Sequence, residues 1–329
     1  MDLDYKVSII IPVYKVSKYV GRCADSLFGQ TLPNIEYIFV NDASPDNSIE
    51  VVFACLEHYP KRKKHVRIIS HNKNNGLAAA RNSGLALATG EYIYHCDSDD
   101  FVESDMLEKL YQRAKETNAD IVWCDWFLSF EKNERYMKQP DYSSASEALK
   151  GMLAGTMKYN VWNKLVKRSL YTENHIQFPD GHGMGEDMTM IRLLACAKKV
   201  AYVPRAFYHY VKLNTQAFTN TFSERHLEDI RYNVDETIGF LQKRFGNSLD
   251  DYLSYFKLNV KYPFLISNEI SMYRLWNLWY PEANKAIGRN PYISYRSKML
   301  QYAAKHRMYG VLWLYYWMIH RLVYGIIYR

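Results

Sequence analysis

Three carboxylates lie within four residues in the segment Asp97-Ser98-Asp99-Asp100, which directly follows the mainly apolar run Glu91–Cys96. Carboxylates this close together repel one another unless a cation or hydrogen-bond donors compensate them. In an extended chain the side chains of Asp97 and Asp99 face the same side, where they could share one Mg²⁺ or Mn²⁺ ion. The alternative is a solvent-exposed turn, but the position of the acids after a predicted strand favours the metal site.

A second pair of acids, Glu186 and Asp187, follows the glycine-rich stretch Phe178–Met184. Neighbouring carboxylates on a loop can supply a general base. Acids are also common at the start of a helix, where they interact favourably with its dipole. The residues alone leave both interpretations open.

Polar residues also follow the predicted strand that ends at Val40. Asp42 can accept a hydrogen bond from an N–H group of a nucleobase, and Ser44 can cap the next helix. Turn and capping chemistry alone is the simpler explanation of these residues.

The turn Asn72–Gly76 precedes a helix of small residues that carries Arg81. A helix N-terminus with an arginine one turn further on suits a phosphate or nucleotide. The signal is weak by itself, since the chain contains neither GxGxxG nor GxxxxGK[ST].

His209 lies between two tyrosines and fits a structural histidine better than a metal ligand.

The elements that must position these residues alternate between strand and helix over the first 100 residues. Short β-branched or apolar runs predict strands at Val7–Tyr14, Ile35–Val40, Val66–Ser70 and Glu91–Cys96. Helical spacing predicts helices at Tyr19–Phe28, Ile49–Tyr59 and Leu77–Ala88. Such alternation predicts an α/β fold with a mostly parallel sheet flanked by helices, and ligands in such folds bind at the carboxyl ends of the strands.

The alternation weakens after Asp120–Cys124, and the chain turns helical from about Thr221, with long helices predicted at Arg225–Phe245 and Tyr252–Tyr262. We therefore expect an α/β domain over residues 1–215 and a helical C-terminal region over residues 216–329.

Composition excludes several classes of protein. The 329 residues are 48% hydrophobic and 23% charged, which is typical of a globular protein and excludes collagen-like or disordered chains. Five cysteines without a CxxC pair argue against a disulfide framework or a structural zinc site, and they fit a reducing compartment. The acidic start of the chain is unlike a secretory signal, so a cytoplasmic location is expected.

Positive charge and aromatic residues concentrate at the C-terminus. Residues 283–329 contain eight Lys and Arg residues and no acid, and Gly310–Ile319 is a run of ten apolar or aromatic residues that precedes His320 and Arg321. A spanning helix needs about 20 apolar residues, so Arg321 would lie within the bilayer. A helix in the membrane interface fits the tryptophans, tyrosines and basic residues better, and a helix buried on the protein is the alternative. We expect peripheral binding to an anionic membrane through residues 285–329, on the inner face of the cytoplasmic membrane, and no binding of nucleic acid.

Over about residues 5–215, the chain resembles the family 2 glycosyltransferases, enzymes of the GT-A fold. The resemblance rests on seven sequence segments and on their order along the chain. The segments that carry the resemblance are Val7–Tyr14, Val40–Ser44, Asn75–Gly84, Ala88–Ile93, Asp97–Asp100, Val161–Arg168 and Gly185–Asp187. The resemblance implies inverting transfer of a sugar from a nucleotide-sugar, usually a UDP-sugar, assisted by Mn²⁺ or Mg²⁺. It further implies a saccharide or lipid-linked acceptor and a role in polysaccharide or glycoconjugate synthesis.

The resemblance also implies roles for individual residues. It implies a nucleotide site formed by Pro12, Tyr14, Asp42, Arg81 and Asp97, in which Asp42 accepts the uracil N–H. It assigns the metal and diphosphate to Asp99, with Asp100 beside it, and to His209, and the catalytic base to Asp187, with Glu186 as the poorer candidate.

Two positions depart from the family pattern. Asn41 replaces the first acid of the usual Asp-Asp-Gly-Ser motif, so any role of that acid is in doubt here. Lys212 stands where an arginine often follows the His209 region, so the diphosphate contact of that arginine is expected to fall to Lys212. A lysine, unlike an arginine, cannot grip the diphosphate with two parallel hydrogen bonds.

Two other functions fit the sequence less well. A sugar-phosphate nucleotidyltransferase would need a glycine-rich loop after the first strand, and the segment Pro12–Ser17 contains no glycine. A catalytically silent nucleotide- or sugar-binding module would be expected to have lost an acid, whereas Asp42, Asp97, Asp99 and Asp187 are all present.

Overall fold

A nine-stranded mixed sheet forms the centre of the fold in the computed structural model, which describes residues 5–212 and 223–319. The strands are β1 Val7–Val13, β2 Ile35–Asn41, β3 Val66–Ser70, β4 Tyr92–His95, β5 Phe101–Val102, β6 Ile121–Ser129, β7 Glu134–Met137, β8 Lys164–Lys167 and β9 Val200–Val211. Their order in the sheet is β3-β2-β1-β4-β8-β6-β9-β5, and β7 pairs with β6.

The first four strands form a parallel half of the sheet. Strand β1 pairs in parallel with β2 and β4, and β2 pairs in parallel with β3. Both β1 and β2 are almost completely buried, which explains their continuous runs of Ile, Val and Phe in place of an alternating pattern. Strand β8 then runs antiparallel to β4 and β6, and β9 runs parallel to β6. The carboxyl ends of β1, β2 and β4 therefore lie at one edge.

Twelve helices accompany these strands in the described parts of the chain. They are α1 Val20–Phe28, α2 Ser48–Glu57, α3 Leu77–Leu87, α4 Met106–Thr117, α5 Ala145–Ala154, α6 Arg168–Glu173, α7 Thr189–Cys196, α8 Glu224–Phe245, α9 Asp250–Lys261, α10 Ile270–Leu278, α11 Tyr295–Lys305 and α12 Tyr309–Ile319. The α/β fold expected from the sequence is thus confirmed, with element bounds in the first 100 residues within two residues of the predicted ones.

Helix α3 lies unusually close to the sheet because it carries Gly84. A Cβ atom at this position would come within 2.4 Å of the Ile10 side chain on β1, which no real packing allows. Glycine therefore permits the close approach that brings Arg81, on the same helix, to the carboxyl end of the parallel strands.

The chain packs into two compact units. The first comprises residues 1–149 and 159–240, and the second comprises residues 150–158 and 241–329. The division at residues 215/216 stays a prediction, and by packing α8 belongs to the first unit as far as Phe240.

The basic tail is described only in part. His320, Arg321 and the residues after them lie outside the described part of the chain. Among the helices of residues 5–212 and 223–319, none is both long enough and apolar enough to cross a bilayer.

Candidate active site

One buried arginine brings together three acids from two distant parts of the chain. Arg81 is only 1% exposed, and its Nη1 donates to Asp187 Oδ1 at 2.7 Å and to Glu186 Oε1 at 3.4 Å. Its Nη2 donates to Asp97 Oδ1 at 3.1 Å. Four of the residues expected at the site from the sequence therefore form one ionic cluster at the carboxyl edge of the sheet.

The cluster contains more negative than positive charge. Burial raises the pKa of Asp97 to about 6; Arg81 opposes the shift, and the charges of Asp187 and Asp99 add to it. Burial, followed by repulsion from Asp187, also raises the pKa of Glu186 above its ordinary value, although Arg81 opposes the shift. An environment of this kind attracts a cation, because a positive ion would relieve the repulsion among the carboxylates.

The two neighbouring acids, Glu186 and Asp187, differ in environment. Asp187 forms the short ion pair with Arg81, whereas Glu186 forms the long one and has the raised pKa. The two neighbouring acids are therefore not equivalent, and the role of either one as a base stays a prediction.

Backbone geometry places these acids where they are. They begin a 3₁₀ turn, Glu186–Met188, that leads into α7, and Gly185 before it has a φ of 87°. A side chain would be strained at this φ, and a Cβ atom would lie 3.2 Å from Met188 Cε. Gly185 is therefore needed for the sharp turn that points the acids at Arg81.

Asn82 anchors the start of the loop that carries the acids. Its side-chain amide donates to the carbonyl oxygen of Phe178 and its amide oxygen accepts from the Phe178 N–H, both at 2.9 Å. The Phe178 ring lies 5.3 Å from the Arg81 guanidinium. Asn82 was not among the residues expected at the site, although its place directly after Arg81 in the same motif was a usable signal.

Asp42 organises the loop between β3 and α3. Its carboxylate accepts from His71 Nδ1 at 2.7 Å and from the backbone N–H groups of Asn75 and Gly76 at 2.9 and 2.8 Å. His71 Nε2 is in turn 2.9 Å from Ser83 Oγ. The reading of a nucleobase by Asp42 stays a prediction, and the structure adds His71, which sequence reasoning missed even though it directly follows β3.

Tyr14 and Pro12 lie beside Asp42 at the end of β1. The Asp42 N–H donates to the Val13 carbonyl oxygen at 3.0 Å, and Tyr14 is 39% exposed. An exposed ring next to a strand end provides a flat surface on which a base can stack.

A cavity of about 630 Å³ opens on another face of α3. Its lining includes His71, Lys73, Asn75, Asn82 and Asp180. Arg81 lies about 100° around the helix from Asn82, so it faces the acids and not this cavity. The polar lining suits a hydroxylated ligand.

His209 has an aromatic ring on each face and a carboxylate partner at each ring nitrogen. Its ring stacks between Phe101 and Phe127, with centroid distances of 4.1 and 4.9 Å. Nδ1 lies 2.7 Å from Glu134 Oε1, and Nε2 lies 2.9 Å from Glu103 Oε1. Both ring nitrogens therefore already have a partner in this arrangement, and the metal contact of His209 stays a prediction.

The side chain of Asp100 is buried and forms hydrogen bonds within the fold. It is 1% exposed and accepts from the Tyr208 hydroxyl at 2.5 Å and from the Val211 N–H at 2.7 Å. These bonds tie the acidic segment to β9, and contact of Asp100 with a diphosphate stays a prediction. Lys212, the other expected diphosphate contact, donates to the Tyr210 hydroxyl at 3.2 Å.

The side chains of Asp97 and Asp99 could hold a divalent cation. No preformed group of three or more ligands occurs within residues 5–212 and 223–319. Asp97 and Asp99 still fit, because Mg²⁺ and Mn²⁺ are commonly held by one or two carboxylates together with substrate phosphates. The excess negative charge around Asp97 supports such a site.

Comparison with known proteins gives consistent results. The family model described as glycosyl transferase family 2 matches residues 8–189. A cholesterol galactosyltransferase of Borreliella burgdorferi is 30% identical over 312 residues, which cover 90% of this chain and 82% of that protein. The putative glycosyltransferase EpsH of Bacillus subtilis is 30% identical over 258 residues, which cover 75% of this chain and 71% of that protein.

The fold resembles that of solved structures. The crystal structure of S. aureus TarS in complex with UDP-GlcNAc aligns with a TM-score of 0.68 at 19% identity, covering 95% of this chain and 92% of that one. A Mn²⁺ and GDP-mannose complex of a mannosyltransferase from Pyrobaculum calidifontis aligns with a TM-score of 0.51 at 15% identity, covering 95% and 88% of the two chains.

Proposed function

Because the chain belongs to glycosyl transferase family 2 and is a glycosyltransferase, we propose that it transfers a sugar from a UDP-sugar to an acceptor hydroxyl with inversion at the anomeric carbon. The observation that carries the proposal is the cluster around Arg81, in which Asp97, Glu186 and Asp187 converge on one guanidinium. Acids from distant segments meet there at the edge of the sheet where α/β proteins bind ligands.

Asp187 is the proposed catalytic base. An acceptor hydroxyl is a poor nucleophile until a carboxylate takes its proton, which contributes about 10²–10⁴-fold to the rate. A base across the sugar ring from the diphosphate leads to direct displacement, and hence to inversion. Arg81 orients the Asp187 carboxylate through the 2.7 Å ion pair, while burial raises the pKa of the neighbouring Glu186.

The donor is held by residues at the ends of β1, β2 and β4. We assign Tyr14 and Pro12 to the base, with Asp42 and the loop that it organises beside them. A divalent cation held by Asp97 and Asp99 would neutralise the charge that develops on the departing diphosphate. The TarS complex with UDP-GlcNAc supports a UDP-linked donor.

The acceptor is proposed to be a saccharide or lipid-linked hydroxyl compound used in polysaccharide or glycoconjugate synthesis. Support comes from relatives whose names specify hydroxyl acceptors, the cholesterol galactosyltransferase and a poly(ribitol-phosphate) beta-glucosyltransferase of Bacillus spizizenii. The latter is 33% identical over 63% of this chain and 32% of that protein.

Calorimetric titration tests the donor proposal. The purified protein is titrated with UDP in the presence and absence of Mn²⁺, with GDP and CMP as controls, and UDP release from a panel of UDP-sugars is then followed. Metal-dependent binding selective for UDP supports the proposal. Selectivity for GDP would overturn the role of Asp42, and folded protein that binds no nucleotide would favour a silent module.

We also propose that the second unit binds the surface of an anionic membrane. On α12, the exposed residues Val311, Trp313, Leu314, Trp317 and Met318 lie on one side of the helix. Leu312, which is completely buried, lies on the opposite side. Residues 283–329 carry no acid, so their charge complements anionic lipid.

Sedimentation with liposomes tests membrane binding. The full chain is expected to pellet with phosphatidylglycerol liposomes and to remain in the supernatant with phosphatidylcholine liposomes. The double variant Trp313→Ser/Trp317→Ser should lose this binding without losing UDP affinity. Equal behaviour of both proteins with anionic liposomes would contradict the proposal.

A further inference from the structure

Three side chains on one helix contact three consecutive residues of the loop that precedes the acids. Asp229 Oδ1 is 3.1 Å from His182 Nδ1, and Asp229 Oδ2 accepts from the Gly183 N–H at 3.2 Å. The Asn233 amide donates to the Met184 carbonyl oxygen at 2.8 Å. Between them, the Tyr232 ring stacks on the His182 ring at 3.7 Å, with an angle of 12° between the planes.

The three side chains form one surface of α8. Their spacing of i, i+3 and i+4 places Asp229, Tyr232 and Asn233 on the same face of the helix. Asp229 is 6% exposed and Asn233 is 4% exposed. Polar groups this well buried need partners, and those partners are the side chain and backbone of residues 182–184.

The contacts continue up to the turn that carries the acids. A Cβ atom at Gly185 would lie 3.4 Å from Asn233 Cβ, so α8 also lies against this glycine. At the other end of the loop, Asn82 of α3 holds both backbone groups of Phe178. The loop is therefore fixed at both ends, by α3 before it and by α8 directly before Glu186 and Asp187.

We propose that Asp229 and Asn233 are positioning residues, which fix residues 182–185 so that Asp187 meets Arg81 in the geometry needed for proton transfer. The proposal rests on the proposed role of Asp187 as the base. Both residues lie beyond residues 8–189, the part of the chain that matches the family model. Helix α8, and not the matched region alone, would thus complete the active site.

The physical reason is the sensitivity of catalysis to geometry. A misplacement of about 1 Å at the reacting atoms can cost about 10²-fold in rate. The backbone of residues 182–185 is a short connection in which Gly183 and Gly185 give little intrinsic stiffness. Without the bonds from α8, the loop would lose its side-chain contacts at residues 182–184, directly before the acids.

The test compares Asp229→Ala and Asn233→Ala with Asp235→Ala. Asp235 is a matched control on the same helix, since its side chain is 55% exposed and its ion pair with Arg231 is long, at 3.8 Å. Asp229→Asn, which keeps an oxygen that can accept from Gly183, serves as the conservative variant. For each protein we would measure turnover by UDP release, the Kd for UDP with Mn²⁺, the Tm, and hydrogen exchange of amides 183–188.

We expect kcat to fall about 10- to 100-fold in Asp229→Ala and Asn233→Ala, with the Kd for UDP changed less than about twofold. Exchange of amides 183–188 should accelerate in the same variants. Asp235→Ala should match wild type in all readouts, and Asp229→Asn should recover most of the turnover. A purely structural role predicts a lower Tm without a selective loss of kcat.

Two outcomes would overturn the inference. One is unchanged exchange at residues 183–188 in both alanine variants, which requires no turnover assay. The other is turnover equal to that of Asp235→Ala. Asp187→Asn, measured alongside, separates the two proposals: if it retains turnover, the proposed base is wrong, whereas if it loses turnover and Asp229→Ala does not, only the positioning role fails.

Discussion

The substitution Asp187→Asn is expected to remove the proposed proton transfer to residue 187 while leaving the other contacts of the site in place. The substitution preserves size, and an amide oxygen can still accept the bond that Arg81 Nη1 makes to Asp187 Oδ1 at 2.7 Å. The side chain loses its charge and its basicity. We therefore expect a folded protein with an intact Arg81 cluster that cannot accept the acceptor proton.

The expected loss follows from the role of a general base. Removing one costs about 10²–10⁴-fold in kcat, which corresponds to about 2.7–5.4 kcal/mol of barrier at 1.36 kcal/mol per decade. The affinity for UDP, in contrast to kcat, should not fall in Asp187→Asn. The charge of Asp187 helps to raise the pKa of Asp97 to about 6, so its removal lowers that pKa and leaves more Asp97 ionised at pH 6.

The assay combines turnover and binding. UDP release gives kcat, and calorimetry gives the Kd for UDP with Mn²⁺ at pH 6.0 and 7.5. Glu186→Gln is the matched control, because it alters the adjacent acid, which forms the longer contact with Arg81 at 3.4 Å. The reasoning is refuted if Asp187→Asn keeps more than about one tenth of wild-type turnover. It is also refuted if UDP affinity at pH 6.0 falls together with turnover.

Further predictions concern the metal, pH and stability. Asp99→Ala should abolish the gain in UDP affinity that Mn²⁺ provides, and an unchanged metal requirement in calorimetry would remove Asp99 as a ligand. Asp97 must be ionised to bind a cation, and its pKa is raised to about 6. Metal-dependent UDP affinity should therefore fall about tenfold per pH unit below pH 6 and level off above pH 7. A UDP affinity that does not change between pH 5 and 7 would contradict this prediction. Lys261→Met should lower the free energy of unfolding by about 2–4 kcal/mol, because it leaves two buried oxygens without their donor. In the wild type, Lys261 Nζ donates to the Trp279 carbonyl oxygen and to Asn284 Oδ1, both at 2.7 Å, in a fully buried site. Lys285→Met, at an exposed position, is its control in thermal unfolding.

Most of the fold was predictable because its determinants are local. Strand β1 reads as one β-branched run, and its nearly complete burial explains why no alternation interrupts it. Helix α8 was expected at residues 225–245 and spans Glu224–Phe245. Pairings between distant strands, such as β8 between β4 and β6, leave no comparable mark in a single sequence.

The members of the site were predictable individually, but their partners were not. Arg81 and Asp187 are 106 positions apart, and no spacing rule connects two residues so distant. The sequence pointed to Arg81 as a nucleotide contact, whereas the structure shows it bonded to three acids. Nothing in the sequence singled out Asn233, and its bond to the Met184 carbonyl oxygen is visible only in the structure.

Identical residue types acquire different roles here through the donors that reach them. Asp100 accepts from a hydroxyl and a backbone N–H that both belong to β9, so these bonds serve the fold. Asp42 is bonded to three N–H groups of one loop and shapes that loop. Asp97 shares a single guanidinium with Glu186 and Asp187, and burial, to which the charges of Asp187 and Asp99 add, raises its pKa to about 6 although Arg81 opposes the shift. Because a cation would relieve the repulsion among these acids, the cluster around Arg81 is where we propose that the cation and the diphosphate bind.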